Sequence, residues 1–527
     1  MSGDDKRQGN KRRLLKATLS MSGVTLLSRI LGLVREQVRA HYLGTSFASD
    51  AFGIAFQIPN LLRRMMAEGA MSAAFVPVLS ETREKEGDLE AFTFAQQFYS
   101  FSIWFLCGVA GFGVLFAGGI VTCFAWFSNT EIRLEAFELT TELTRLMFPY
   151  LAFVGWAALA QGILNTFHVF WVSAFTAVLL NLSIIGCAVA FASIFTQPAY
   201  GFAIGVLLGG VVQIGFQLPY LREVGFHWRF DFRLSEKVKR ALKLLVPTLF
   251  GAGVYQVNVF VSQAIAWGAG DGAVSSLQFS NRLLELTLGV FVVALSTAIL
   301  PTISKYVAAG KNEELIETIQ YGVRLTIFVC LPVTAGLYLV RTETVHLLFE
   351  RGTFNALSTE MTAGALELHI LGLVFIALSR VWISVFYAHQ DTWRPFWAGF
   401  FSMIVNIAGC YLWVDSMGHR GIALANTLAA LGHTAALWIW LRHYQLGAIT
   451  GETWMAVFKT LIATGFMAVV VWGLRGVVMP EVGLESSSVV GYSILVLAGG
   501  LVFVGVSAVM RSRELRELLY FVHRKKA

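Results

Sequence analysis

Charge is what this sequence has least of for its length: Asp, Glu, Lys and Arg make up 14% of its 527 residues, where soluble globular chains carry about 25%. Together with 56% hydrophobic residues and a mean hydropathy of +0.65, that shortage excludes a soluble protein of this size. Cysteine is nearly missing as well. Cys107, Cys123, Cys187, Cys330 and Cys410 lie singly in apolar stretches without CxxC spacing, which excludes a zinc ribbon or a disulfide framework and leaves buried thiols. No histidines fall at metal-ligand spacing, and no Ser/His/Asp set or carboxylate pair stands out. Gly111-x-Gly113 and Gly251-x-Gly253 lack the third glycine and the strand context of a nucleotide loop, and there is no Walker sequence. The chain therefore reads as no enzyme and as needing no cofactor or metal.

What the sequence does have is apolar segments of about 20 residues recurring to its end, too long and too little alternating for barrel strands. Fourteen can be counted, and the expected fold is an all-α polytopic membrane protein. The basic start MSGDDKRQGNKRRLLK is read as preceding a retained first span, because the segment after it holds Arg29 and Arg35 and no small-residue cleavage site. Lys and Arg gather on one side: before span 1, after span 2 at Arg83 and Lys85, between spans 6 and 7, and over the closing residues 511–526. The other side has only Arg133, Arg341, Arg351, Arg420 and Arg475. An even number of spans with both termini cytoplasmic follows, with Asn129, Asp271 and Asn355 outside. The net charge of +7 belongs to that asymmetry and to anionic lipid, and calls for no nucleic acid.

Three matches divide the chain into two copies. FVPVLSE at 75–81 resembles ILPTISK at 299–305, so that Pro77 aligns with Pro301, 224 positions on. IIGC ending at Cys187 matches IAGC ending at Cys410, 223 positions on, and Arg222 aligns with Arg442, 220 positions on. Each copy holds six spans and so keeps one orientation. Two six-helix lobes related by a pseudo-two-fold axis along the membrane normal, plus two extra C-terminal helices, are expected. The organisation implied is a basic N-terminus over residues 1–16, an N-lobe over 17–224 and a cytoplasmic linker over 225–238. A C-lobe over 239–445, helices 13 and 14 within 446–510, and an amphipathic basic tail over 511–527 complete it.

Residues 28–81 break the apolar pattern, carrying Arg29, Arg35, Glu36, Arg39, Asp50, Arg63, Arg64 and Glu68. An arginine near the bilayer centre costs about 2.5 to 3.5 kcal/mol even on insertion scales, so several in neighbouring helices call for a water-filled cavity or a bound anion. On an unbroken span 1, Arg29 and Glu36 are seven apart and share a face, which makes a local pair of them and leaves Arg35 the freer cation. Pro59 resets the phase of span 2, so that Arg63 reaches the cavity beyond the kink. In span 8, Gln278, Asn281, Arg282 and Glu285 form one polar stripe. Guanidinium groups from both copies suit a diphosphate, because their planar forks bind phosphate oxygens bidentately and stay charged. The candidate substrate-binding residues are Arg29, Arg35, Arg63, Arg282, Asp50, Glu36, Glu285, Asn60 and Arg64. Plainer readings stand beside these. Arg39 and Arg64, near span ends, have an even claim to snorkelling; Arg145, Arg324 and Arg380 read as interfacial or intramolecular partners; His369 and His433 read as buried, hydrogen-bonded histidines ahead of proton carriers.

SRILGLVRE, SDAFGIAFQIPNLLRRMMAEGAMSAAFVPVLSE, the NRLLE of 281–285, LPTISK and the FYAHQDTWRP of 386–395 resemble the MurJ/MviN family of bacterial lipid II flippases, within the multidrug/oligosaccharidyl-lipid/polysaccharide exporter superfamily. The resemblance implies fourteen helices in two lobes with a lipid-tail groove made by the last two. It also implies that Arg29, Arg35, Arg63 and Arg282 are essential cavity arginines and Asp50 a cavity aspartate. Glu36 stands where the family usually has Asp, and Asn281 where some relatives carry Asp. Cys410 occupies the place where a sodium-binding relative uses an Asp near Asn406, which counts against sodium coupling there. The implied activity is alternating access for lipid II, the undecaprenyl-diphosphate-linked disaccharide-pentapeptide, by a monomer in the bacterial cytoplasmic (inner) membrane. Membrane lipids and cell-wall synthesis proteins are the other partner classes. The competing reading is a drug or organic-cation antiporter on the same scaffold, which would line its cavity with unpaired carboxylates and aromatic faces; the arginine excess opposes it.

Overall fold

The structure, a computed structural model, describes residues 3–64, 74–128, 130–444, 446, 449–478 and 485–524; Glu68, Asn129, Lys525 and Lys526, and the part of span 2 over 65–73, lie outside them. Among the described residues there are helices and no strand. Nine of these helices are long and apolar enough to cross a membrane, ten if a pair bent by 41° is one span. That criterion does not establish the count of fourteen. The described parts of the segments expected for spans 1, 2, 7 and 8 are helical without being among the nine. Two compact units divide the chain, Met1–Ser275 with Arg351–Phe354, and Ser276–Glu350 with Asn355–Ala527.

The first unit contains α1 (Gly3–Leu43), α2 (Phe47–Arg63), α3 (Val76–Glu86), α4 (Asp88–Leu115), α5 (Ala117–Ala125) and α6 (Leu134–Met147). It continues with α7 (Tyr150–Thr166), α8 (Phe170–Phe191), α9 (Ala199–Glu223), α10 (Glu236–Gly268) and the first turn of α11 (Ala273–Ala308). A tight turn joins α1 to α2. Ser46 caps α2 by accepting from Ser49 N–H at 3.3 Å while donating to Leu43 O at 2.7 Å. Gly44 in that turn has φ +56°, and a β-carbon there would sit 2.7 Å from Thr353 O, so only glycine fits on both counts. Pro77 opens α3, where its missing N–H costs nothing. Phe75, Phe94 and Phe98 pack ring on ring beside it at 5.0 to 6.0 Å. Along α9, Gly201, Gly205 and Gly209 press on α8 so closely that a β-carbon at Gly205 would lie 2.7 Å from Ile184 Cα.

Both ends of α10 are tied within this unit. At one end Lys237 pairs with Glu86 (2.7 Å) and Arg240 with Glu81 (2.9 Å). Beyond the other, Thr130 Oγ1 donates to Gly268 O (2.6 Å) and Arg133 pairs with Asp271 (2.5 Å). These ties explain why the division into units falls at 275/276, past the polar connection at 225–238.

The second unit contains the rest of α11, then α12 (Asn312–Leu339), α13 (Arg341–Phe349), α14 (Ala356–Leu371), α15 (Leu373–Ala388) and α16 (Trp393–Met417). After these come α17 (His419–Leu441), α18 (Gly451–Val478), α19 (Glu485–Val509) and α20 (Arg513–Arg524). Pro301 lies inside α11, whereas its repeat partner Pro77 begins a helix. The α16–α17 pair is glycine-seamed like α8–α9: a β-carbon on Gly421 would meet Trp413 O at 2.4 Å, and one on Gly409 would meet Ala425 Cβ at 3.0 Å. Arg324 of α12 is buried and pairs with Glu452 and Glu514 at 3.5 Å each, an intramolecular role that a buried arginine needs. Through Glu514 and Leu515 the C-terminal α20 packs on the core around Phe328, Met467 and Phe503.

Candidate functional site

On α1 the arginines organise around one carboxylate. Arg35 donates to Glu36 Oε1 from Nη2 (2.5 Å) and Nε (3.2 Å), and from Nη1 to Asn181 Oδ1 of α8 (3.2 Å). Arg39, fully enclosed, reaches Glu36 Oε2 at 3.5 Å and donates to Ser49 O (2.8 Å) and Ser49 Oγ (3.2 Å). Two expectations change as a result. Glu36 pairs with Arg35 and Arg39 instead of Arg29, because seven residues of helix separate two side chains by about 10 Å along the axis, while Arg39 is three residues on, at contact spacing, and the long Arg35 side chain reaches its immediate neighbour. Arg35 is consequently bonded, and Arg29 is the freer cation: half-buried, with no hydrogen bond or ion pair among the described residues. Arg39 does not snorkel; it clamps the α1–α2 turn.

Asp50, in the first turn of α2 and 1% exposed, spends both oxygens on the start of α11. Its Oδ2 accepts from Gly272 N–H and its Oδ1 from Ser275 N–H, each at 2.7 Å. A carboxylate here satisfies orphan amides and meets the positive end of the helix dipole. Asp50 thus caps a helix in this structure where a cavity-lining role was expected.

Near the end of α2, past Pro59, Arg63 Nε donates to Asn60 Oδ1 at 2.8 Å. Arg64 is the C-cap, its N–H directed to Asn60 O and Leu61 O. Tyr150 of α7 has its ring 6.3 Å from that of Phe56, and the Arg35 guanidinium stands 6.0 Å from the same Phe56 ring. In the second unit Arg282 and Glu285 pair at 3.4 Å on one face of α11, with Arg282 Nε buried and unbonded. His369 is buried there between Ser280 Oγ (2.9 Å) and Asn426 Nδ2 (3.4 Å), the hydrogen-bonded role given to it from sequence.

Sequence reasoning passed over Asn181, Ser49 and the Gly272–Ser275 turn. Asn181 had a visible signal, a carboxamide inside an apolar span; it also donates to Ser28 O at 3.3 Å, stitching α8 to α1. The first unit can offer an anion a half-buried cationic face whose carboxylates are already engaged. Among the described residues no three His, Cys, Asp or Glu gather as metal ligands.

Residues 39–492 match the family described as Lipid II flippase MurJ. The lipid II flippase MurJ of Burkholderia cenocepacia is 35% identical over 463 residues, 86% of this chain and 88% of that protein. A "Probable lipid II flippase MurJ" from Vibrio cholerae is 34% identical over 507 residues, 93% and 97% of the two chains. Among solved structures, a lipid II flippase MurJ in an inward closed conformation aligns with a TM-score of 0.78 at 25% identity, over 95% of this chain and 99% of that one. An inward-facing MATE family multidrug resistance transporter aligns with a TM-score of 0.68 at 16% identity, over 82% and 98%, a likeness of fold alone.

Proposed function

The chain belongs to the lipid II flippase MurJ family, and from that premise we propose that it moves lipid II, the lipid-linked peptidoglycan precursor, across the cytoplasmic membrane by alternating access. It is a multi-pass membrane transporter and no enzyme. The observation that carries the substrate class is the surplus of guanidinium on α1: Arg35 and Arg39 share one carboxylate, Glu36, and Arg29 has no ion pair among the described residues, so the helix keeps positive charge for an anion. In this reading Arg35, Arg63 and Arg282 hold the diphosphate as planar forks, with Arg29 beside them. Asn60 orients Arg63, Glu36 orients Arg35, and Glu285 orients Arg282. Asp50 acts indirectly, by fixing the start of α11. Arg64 meets the headgroup at the end of α2.

The polyprenyl tail stays in lipid along α18 and α19, whose Trp454, Phe458, Phe466, Trp472, Leu497 and Leu501 are exposed. Both termini face the cytoplasm, the two copies form the lobes that rock about the headgroup, and the working unit is a monomer, with cell-wall synthesis proteins as the partners outside lipid. A cation antiporter has less support. Such a carrier needs a carboxylate free to take a cation or proton, and Glu36 and Asp50 are both engaged. Reconstitution in proteoliposomes decides the matter: headgroups of lipid II should cross and become accessible to an added impermeant reagent, while organic cations should not accumulate. Cation uptake without headgroup movement would reverse the assignment.

A further inference from the structure

The polar connection between α9 and α10 is fixed along α4. Gln96 Nε2 donates to His227 O (2.7 Å), Asp231 N–H to Ser100 Oγ (3.0 Å), and Gln97 Nε2 to Asp231 Oδ2 (3.0 Å). Arg233 closes on the same carboxylate at 2.8 Å and, above other causes, holds the Asp231 carboxyl below the usual range, so the anchor stays ionised. This attachment sorts the aromatic residues of the connection into two sets. Phe226 and Trp228 turn in on Tyr99. Phe230 and Phe232 stack on each other with ring planes 4° apart and are 63% and 50% exposed. Phe232 continues onto Phe101 and Trp104 of α4 at 6.0 and 6.4 Å.

Trp104 is itself 65% exposed on a helix long and apolar enough to cross the membrane. Phe230 and Phe232 therefore prolong the apolar surface of α4 beside Trp104, an amphipathic ring of the kind that settles at a membrane–water boundary. Charge points the same way. Positions 222–243 hold seven Lys or Arg against three Asp or Glu. Among the described residues Arg222 and Arg229 are exposed and without an ion pair, and Arg229 stands between Trp228 and Phe230.

We propose that residues 229–234 are a docking surface for the anionic headgroup layer of the membrane: Phe230 and Phe232 enter it at the level of Trp104, while Arg229 and Arg222 meet lipid phosphates. The connection between the two copies is thereby held at the membrane surface.

The test uses the full chain with its five cysteines replaced and a nitroxide on Phe230→Cys, in nanodiscs containing phosphatidylglycerol. A label on Glu313→Cys, in the polar first turn of α12, is the reference. The label at 230 should collide with oxygen and be shielded from a water-soluble nickel chelate; the label at 313 should behave oppositely. One arginine at an anionic surface corresponds to about a fivefold change in population, so Arg229→Gln should lower the inserted-to-exposed ratio at 230 by about that factor in phosphatidylglycerol and leave it unchanged in phosphatidylcholine. Equal nickel access at 230 and 313 would mean that the surface faces water or awaits a protein, and would overturn the proposal. Equal insertion in the two lipids, indifferent to Arg229→Gln, would overturn its anionic part.

Discussion

Removing the carboxylate of Asp50 should loosen the start of α11 and leave the rest of the helix pairings intact. The wild-type group takes two backbone N–H bonds of 2.7 Å in a site 1% exposed. Asp50→Ala leaves both donors without a partner, and each buried orphan costs about 1–3 kcal/mol. A total toward the lower end of that sum, about 3 kcal/mol, moves the equilibrium between attached and detached forms by about 150-fold. Gly272 is the reporter of attachment, because a β-carbon there would lie 2.6 Å from Thr45 O, so the α1–α2 turn and the α10–α11 turn touch. A cysteine at Thr45, treated from outside with an impermeant maleimide, should react at least tenfold faster in Asp50→Ala than in the parent. Asp50→Asn should fall between, since its amide accepts one N–H and turns its own donors toward the other. Membrane insertion should be normal in all three. Identical labelling rates at position 45, at equal protein levels, would refute the capping argument and return Asp50 to direct contact with substrate.

Three further outcomes are expected. Asn181→Leu removes a hydrogen bond to a charged group, an interaction of about 1.5–3 kcal/mol, and should slow headgroup flipping in proteoliposomes by about ten- to a hundredfold if Arg35 must be held in place; unchanged flipping would make Asn181 a packing residue. Arg63→Ala and Arg282→Ala should each fail to complement a flippase-depleted bacterium while inserting normally, and lysine at either site should rescue only in part, because it keeps the charge and loses the fork. A disulfide between cysteines at Ser46 and Gly270 should stop flipping, leave precursor binding intact and release activity on reduction; undiminished flipping by fully cross-linked protein would rule out passage of the headgroup by that route.

Hydropathy is a local property, and the membrane class, the helical fold and the basic asymmetry could be read from it directly. The cationic stretch at 28–81 was equally legible, since arginine in an apolar segment is costly wherever the segment folds. Pairing was less so. Helical phase placed Arg29 and Glu36 on one face, yet contact depends on distance along the axis as well as on angle, and Glu36 went to Arg35 and Arg39. Partners far away in sequence left almost no trace: Asn181 lies 146 positions from Arg35, and Gly272 lies 222 from Asp50. The short small-residue turns at 44–49 and 268–273 did hint at close approach, and Gly272 against Thr45 shows why no larger residue stands there.

The glycine seam between α8 and α9 makes a lever of that pair. With Gly201, Gly205 and Gly209 packed almost backbone to backbone on α8, there is no layer of side chains to shear, so tilting one helix tilts both. The 25 residues of α9 make a rod about 37 Å long. Rotating such a rod by about 5° moves its far end by about 3 Å, a full hydrogen-bond length. Asn181 lies on α8 next to Leu180, which Gly209 faces. About 16 Å from the Phe170 end, it swings by about 1.4 Å in the same rotation, enough to stretch its 3.2 Å bond to Arg35 beyond hydrogen-bond reach. A modest tilt of α8 and α9 is therefore enough to take Asn181 away from Arg35 and turn a fixed guanidinium into a mobile one, with no helix bending or unwinding. Alanine at Gly205 would wedge the seam open and uncouple that motion.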